Sequence, residues 1–202
     1  MAKRNTERFY DIPGYYHVYN RGAARAKIFL DVADKRKFMS LLARYLDPTD
    51  KSIRADGLAY QKSNAKLLAY CLMGNHFHLF LYQDQDVDDI SRLISALSTS
   101  YSMYFNLKYK RSGRLFEGPF RASRVTEEPY FEHLSRYIHL NPRTYKTYAW
   151  SSLPEYTNRR NTPWVHPEYV TNMSPDAYLA YLGDYEERAE ALKILKGYFD
   201  LI

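Results

Sequence analysis

The sequence predicts an α+β fold of ferredoxin-like (RRM-like) type: an antiparallel sheet with helices on one face, an added helix, and a C-terminal helical appendage. Three observations carry this expectation. Extended and helical patterns follow one another in the order β-α-β-β-α-β-α. A Gly-Asn pair joins two apolar runs as a tight hairpin. The 202 residues suit one domain plus an extension, divided here as 1–145 and 146–202.

The run Tyr15-Tyr16-His17-Val18-Tyr19 is rich in strand formers and ends at the turn signal Asn20-Arg21-Gly22. Asp31 can cap a helix that carries Phe38, Leu41, Leu42, Tyr45 and Leu46 at helical spacing, and Pro48 stops it. Residues 49–64 are polar and read as a loop. Leu67–Met73 and His76–Tyr82 flank Gly74-Asn75, a register that pairs Met73 with His76 and Cys71 with His78. Alternation then gives Leu68, Tyr70, Leu72, Phe77, Leu79 and Leu81 to a core face, and His76 and His78 to the other.

Asp84, Asp86, Asp88 and Asp89 suit the positive end of a second helix, which carries Ile90, Leu93, Ile94, Leu97, Tyr101, Tyr104 and Phe105. Leu115 to Val125 reads as the fourth extended segment. Thr126-Glu127-Glu128-Pro129 opens a third helix, with cap, acidic first turn and early proline; it runs to Asn141 and stops at Pro142. The extension holds Trp150, Trp164 and a helical stretch from Pro175 to Phe199, and its charge from Ser174 onward is −3.

The composition excludes several classes. With 46% apolar and 26% charged residues, disorder, collagen and coiled coil are not expected. Cys71 is the only cysteine, which excludes an intramolecular disulfide and a multi-cysteine zinc site. No apolar run approaches the roughly 18 residues of a membrane span, and no apolar stretch follows the N-terminus as in a secretion signal, so a cytoplasmic protein is expected. The net charge of +6 favours a polyanionic partner. Residues 108–124 concentrate it: Lys108, Lys110, Arg111, Arg114, Arg121 and Arg124 face one acid, Glu117, with Tyr109, Phe116 and Phe120 interleaved. Such a pattern suits tracking of a backbone and stacking on unpaired bases, or simply a solvated basic turn. Arg21 and Arg25 extend it.

Chemistry concentrates in two places. The imidazoles of His76 and His78, sharing one strand face, suit a divalent ion or a hydrogen-bonded pair. On the third helix Tyr137 and Asn141 are four apart and share a face, beside the apolar stripe Phe131, Leu134, Ile138. An amide oxygen from Asn141 would make a third ligand, and Tyr137 a nucleophile beside the metal. His133, one turn earlier, and His17, on the first strand, are candidates for a general base.

The run Ala69-Tyr70-Cys71-Leu72-Met73-Gly74-Asn75-His76-Phe77-His78-Leu79 resembles the metal-binding strand of single-tyrosine HUH transposases, most closely the REP-associated tyrosine transposases. Three more segments agree: Tyr16 to Gly22, Gly113 to Phe120, and Tyr137-Ile138-His139-Leu140-Asn141-Pro142; Trp150-Ser151-Ser152 also fits. The resemblance covers about residues 13–156. It departs at Gly74, where a proline usually stands, and at Arg143-Thr144. It implies His76, His78 and Asn141 as metal ligands, Tyr137 as nucleophile, and cutting and rejoining of single-stranded DNA near hairpins through a 5′-phosphotyrosine. Mg²⁺ or Mn²⁺ fits phosphate chemistry, while Zn²⁺ could take the imidazoles. Monomer and homodimer are both compatible with the sequence. Two other readings remain: a catalytically silent RRM-like nucleic-acid binder, and a zinc hydrolase using the two histidines with Cys71.

Overall fold

The computed structural model describes residues 10–126 and 129–186. Its elements are β1 (Gly14–Arg21), α1 (Val32–Leu46), β2 (Lys66–Leu72), β3 (His76–Gln83), α2 (Asp89–Lys108), β4 (Arg121–Val125), α3 (Pro129–Leu140), α4 (Leu153–Tyr156) and α5 (Pro175–Glu186). The strands form one antiparallel sheet in the order β2-β3-β1-β4, the split βαβ arrangement expected from the sequence. Asp31 caps α1 in a capping box with Asp34, each side chain accepting from the other's backbone N–H. The fourth strand is shorter than expected. Of Leu115–Phe120, only Phe116 makes a β-bridge, to Gly22.

One face of the sheet packs on α1 and α2. Tyr16 and Val18 of β1, Tyr70 and Leu72 of β2, and Phe77, Leu79 and Leu81 of β3 meet Phe38, Leu41, Leu42, Ile90, Leu93, Ile94 and Leu97. Leu68 was expected here and lies elsewhere. A bulge between Leu67 and Ala69 breaks the β2–β3 register, so Leu68 and Ala69 both join Cys71 and Phe80 on the opposite face, while Leu67 stays in the first core. One extra residue in a strand shifts the alternation on one side of it.

The opposite face, which carries the two histidines, is roofed by α3. Phe131, Leu134 and Ile138 are buried in one cluster with Leu68, Ala69, Cys71 and Phe80, and Tyr15 of β1 stacks on Phe131 at 4.0 Å. Burying side chains of this size stabilises the fold by about 1.5–3 kcal/mol each. The sheet is therefore covered on both faces.

The described part of the 146–202 extension does not pack as a separate appendage. Leu153, Tyr156, Val170, Tyr178 and Leu182 belong to the same core as α3. Their chain also completes the open edge of β2. Leu72 N–H donates to the Trp150 carbonyl at 2.9 Å, Ser152 N–H to Tyr70 at 3.0 Å, and His166 N–H to Leu67 at 2.8 Å. His139 of α3 ties this together, with Nδ1 2.8 Å from the Tyr178 hydroxyl and Nε2 2.7 Å from Ser152 Oγ. Ser152 Oγ in turn accepts from Tyr70 N–H at 2.8 Å. The expected helix beyond Glu186 lies outside the described residues.

Burial pushes the His139 imidazole down to about 3 from its ordinary 6.5. Below pH 6.5 the unfolded chain takes up a proton that the fold rejects, so stability falls as pH falls, by up to about 1.4 kcal/mol per pH unit from this group. His139→Leu is expected to be less stable than the wild type at pH 7, because Ser152 and Tyr178 lose a buried partner. It should also lack about 2 kcal/mol of the wild-type loss between pH 6.5 and 5. Urea denaturation at both pH values measures this, and equal acid slopes would contradict the assignment.

Candidate active site

The candidate site lies where β1, β3 and α3 meet. Antiparallel register sets His76 opposite Arg21, and His78 opposite Tyr19 on one side and Cys71 on the other. His78 is fully buried. Its Nδ1 lies 3.0 Å from Nε2 of His17, also fully buried, and the two rings stack with planes 18° apart. His76 begins β3 and is half-buried, its Nδ1 2.7 Å from Asn75 Oδ1. An amide oxygen only accepts, so this nitrogen carries the proton and Nε2 keeps its lone pair.

From α3, Tyr137 meets His78 edge-on, with ring centroids 5.5 Å apart, and His17 at 6.2 Å. Asn141, one turn later, donates to the Tyr137 carbonyl at 3.2 Å, and its side chain lies close enough to those of His76 and Tyr137 to act on the ionisation of both. The four residues singled out in the sequence thus converge within a single chain.

Burial holds His78 well below the usual imidazole range, with the neighbouring His17 and His76 adding to the effect. Burial also lowers His76, opposed by the neighbouring Asn141 side chain and assisted by the charge of Arg21. Both rings are therefore neutral near pH 7. Burial raises the Tyr137 phenol, against the lowering effect of the nearby Asn141 side chain, so the hydroxyl is protonated there.

These donors fit a divalent ion. His78 Nε2 is buried and makes no hydrogen bond among the described residues, an orphaned position that a cation would satisfy. Nε2 of His76 and the Asn141 amide oxygen supply two further neutral donors. Among the described residues no group of three His, Cys, Asp or Glu side chains could hold a metal, so the amide is the third donor on offer. Cys71 does not suit a zinc site: burial pushes its thiol well up, and Sγ lies 3.6 Å from Met73 Sδ.

Two residues at the site were not assigned to it from the sequence. His17, weighed only as a base, is bonded to His78. Tyr19, read only as a strand former, is buried against His17 and His78, with ring centroids 5.1 and 6.0 Å away. The signal was available: period-two alternation puts both on the face that β3 gives to its histidines. His133, the other candidate base, engages α5, its Nδ1 3.3 Å from the Tyr181 hydroxyl.

The basic segment divides. Lys108 is bound by Asp31 and the buried Asp34, both at 2.7 Å, and joins α2 to the start of α1. Its charge is spent inside the protein. Arg21 pairs with Glu117 through two nitrogens, and Arg124 pairs with Asp11. Arg111 lies over the Phe105 ring at 5.5 Å. Lys110, Arg114 and Arg121 are exposed, Arg121 lying over Tyr19 at 6.0 Å.

Phe116 was expected on a base-stacking surface and is instead core, 7% exposed and edge-on to Phe77 at 6.0 Å. Residues 115–120 fold over the rim of the α1/α2 core, turning Leu115, Phe116 and Phe120 inward and leaving Arg114 and Glu117 outside. Phe116→Ala should therefore cost about 3–5 kcal/mol of stability. Chemical denaturation checks this, and an unchanged midpoint would return Phe116 to the surface.

Comparison with known proteins agrees with the fold. The model of the IS200-like transposase family matches residues 14–141, from the start of β1 to Asn141. The structure of a REP-associated tyrosine transposase bound to a REP hairpin superposes with a TM-score of 0.58 at 15% identity, covering 87% of this chain and 96% of that one. That likeness shows a shared fold. A Deinococcus radiodurans R1 structure described as a transposase aligns over 66% of this chain and 93% of its own, at 19% identity and a TM-score of 0.39, too low to carry an argument. No curated protein matches the chain. With the family matched over well more than half of its length, from first strand to last candidate ligand, this chain belongs to the IS200-like transposases.

Proposed function

We propose that the chain is a metal-assisted, single-tyrosine transposase that nicks and rejoins single-stranded DNA beside hairpins. The observation that carries this reading is the convergence of the Tyr137 phenol, the orphaned Nε2 of His78, and an Asn141 side chain that lies beside both Tyr137 and His76. The hairpin bound by the structurally similar REP-associated transposase supports a hairpin partner. No described helix is long and apolar enough to cross a membrane, and a cytoplasmic location is part of the reading.

His76, His78 and Asn141 would hold Mg²⁺ or Mn²⁺. When bound, the ion offsets the charge of the scissile phosphate and polarises phosphorus. The residues do the rest. Tyr137 Oη attacks phosphorus in line as its proton passes to solvent; the bond to the 3′-oxygen breaks, and that oxygen takes up a proton and leaves as a 3′-hydroxyl. The new bond is a 5′-phosphotyrosine. Attack by another 3′-hydroxyl reverses the step and frees the phenol, so rejoining needs no external energy source. Neutral ligands leave the phosphate as the anion that balances the metal. Exposed Lys110, Arg114 and Arg121 would contact the backbone, and Arg21 and Arg124 could do so by exchanging a carboxylate for a phosphate.

Two experiments test this. Tyr137→Phe loses only the hydroxyl, so the covalent protein–oligonucleotide adduct on a denaturing gel should vanish while hairpin affinity is nearly kept. Cleavage should stop in chelator and return with Mg²⁺ or Mn²⁺. A wild-type protein that binds the hairpin but forms no adduct under any metal would favour the silent binder.

The second experiment reads salt dependence. Arg114→Ala and Arg121→Ala should each flatten the slope of log affinity against log salt by about 0.7 for single-stranded contacts. Lys108→Ala should leave that slope unchanged and lower the melting temperature, because Asp34 loses its cation. A flattened slope for Lys108→Ala would put its charge on the DNA instead.

A further inference from the structure

We infer that His17 is a positioning residue: its Nε2 accepts the Nδ1–H of His78 and so fixes His78 in the tautomer whose Nε2 can bind a cation. The inference rests on the metal reading above and assigns a role to a residue outside the ligand set.

Two neutral imidazoles with nitrogens 3.0 Å apart share one proton between those nitrogens. If His17 Nε2 donated, His78 Nδ1 would accept and His78 Nε2 would carry the hydrogen. That N–H would be a buried donor without an acceptor, and the nitrogen could not ligate. If His78 Nδ1 donates, its Nε2 holds a lone pair instead, and the second hydrogen sits on His17 Nδ1. Each arrangement places one N–H of the buried pair away from the shared bond; only the second leaves a lone pair on His78 Nε2, where a metal ion can take it.

The surroundings fix the arrangement. Both rings are fully buried, so bulk water does not compete for the bond. His17 sits on β1, whose next same-face residue, Tyr19, is the register partner of His78, and its ring stacks on both. His76 is served in the same way by Asn75, whose amide oxygen takes its Nδ1–H. Each imidazole ligand thus has one nitrogen occupied within the protein and the other left for a cation, a pattern that commonly sets ligand tautomers in metal sites.

The test has two readouts. In metal-free protein carrying ¹⁵N-histidine, two-bond nitrogen–proton correlations report the tautomer of His78. Nδ1–H is expected in the wild type and in His17→Gln, whose amide oxygen can occupy the same accepting position. Titration with Mn²⁺ alone should give an affinity 10–100-fold lower in His17→Leu, about the size of other losses of a ligand's hydrogen-bond partner. His17→Gln should recover most of it. Melting curves of both variants separate this effect from unfolding, and if His17→Leu does not fold, the tautomer and the Gln variant still decide. Nε2–H on His78 in the wild type would overturn the inference, as would equal Mn²⁺ affinity for wild type and His17→Leu, with the metal reading left standing. Absence of Mn²⁺ binding by the wild type would overturn the metal reading and this inference together.

Discussion

The seating of α3 across the second face of the sheet is the constraint on which the rest of the structure depends. A ferredoxin-like sheet with helices on one side leaves the other side to solvent. Here Phe131, Leu134 and Ile138 close it against Phe80, Leu68 and Ala69. That contact fixes the axial position of α3, and with it the place of Tyr137 over His78 and of Asn141 beside His76. It also explains why the chain after α3 is part of the core: α3 carries a buried imidazole, His139, that must be satisfied, and Ser152 and Tyr178 satisfy it.

The second consequence is electrostatic. Roofing the histidine face strips water from His17 and His78, and burial keeps them neutral. The same burial makes the Tyr137 phenol reluctant to ionise in the absence of a nearby positive charge. Donors and nucleophile are thus tuned by one cause. The site is driest at His78 and opens toward His76 and Asn141, which are half-buried.

Much of this was legible because it depends on period and turn. Gly74-Asn75 sets the hairpin register, and that register puts His76 and His78 on one face. Spacing of four puts Tyr137 and Asn141 together, and Asp31 announces the start of α1. What was illegible depends on single insertions or on backbone partners. The bulge that moves Leu68 is one residue long and leaves the composition of β2 unchanged. Phe116 sits in an irregular segment, where alternation carries no information about which side is inward. Lys108 looked like its basic neighbours, because the acids that neutralise it lie some seventy residues earlier in the chain. The extension binds β2 through main-chain groups, which have no residue signature; Trp150-Ser151-Ser152 was noticed as a motif, and its reason is that it runs along that strand.

The covering of β2 also bears on how the molecule avoids its own kind. A four-stranded open sheet has two rims, each able to recruit a further strand from another molecule. Residues 150–152 and 165–166 occupy one rim from within. Among the described residues the remaining rim is β4, five residues long, from which Arg121 and Arg124 are exposed. Two molecules meeting rim to rim would have to bring Arg121 against its copy, beside the Arg124–Asp11 pair. Short length and like charge are the usual defences against strand-by-strand polymerisation, and a protein rich in tyrosine and buried strand has particular need of them.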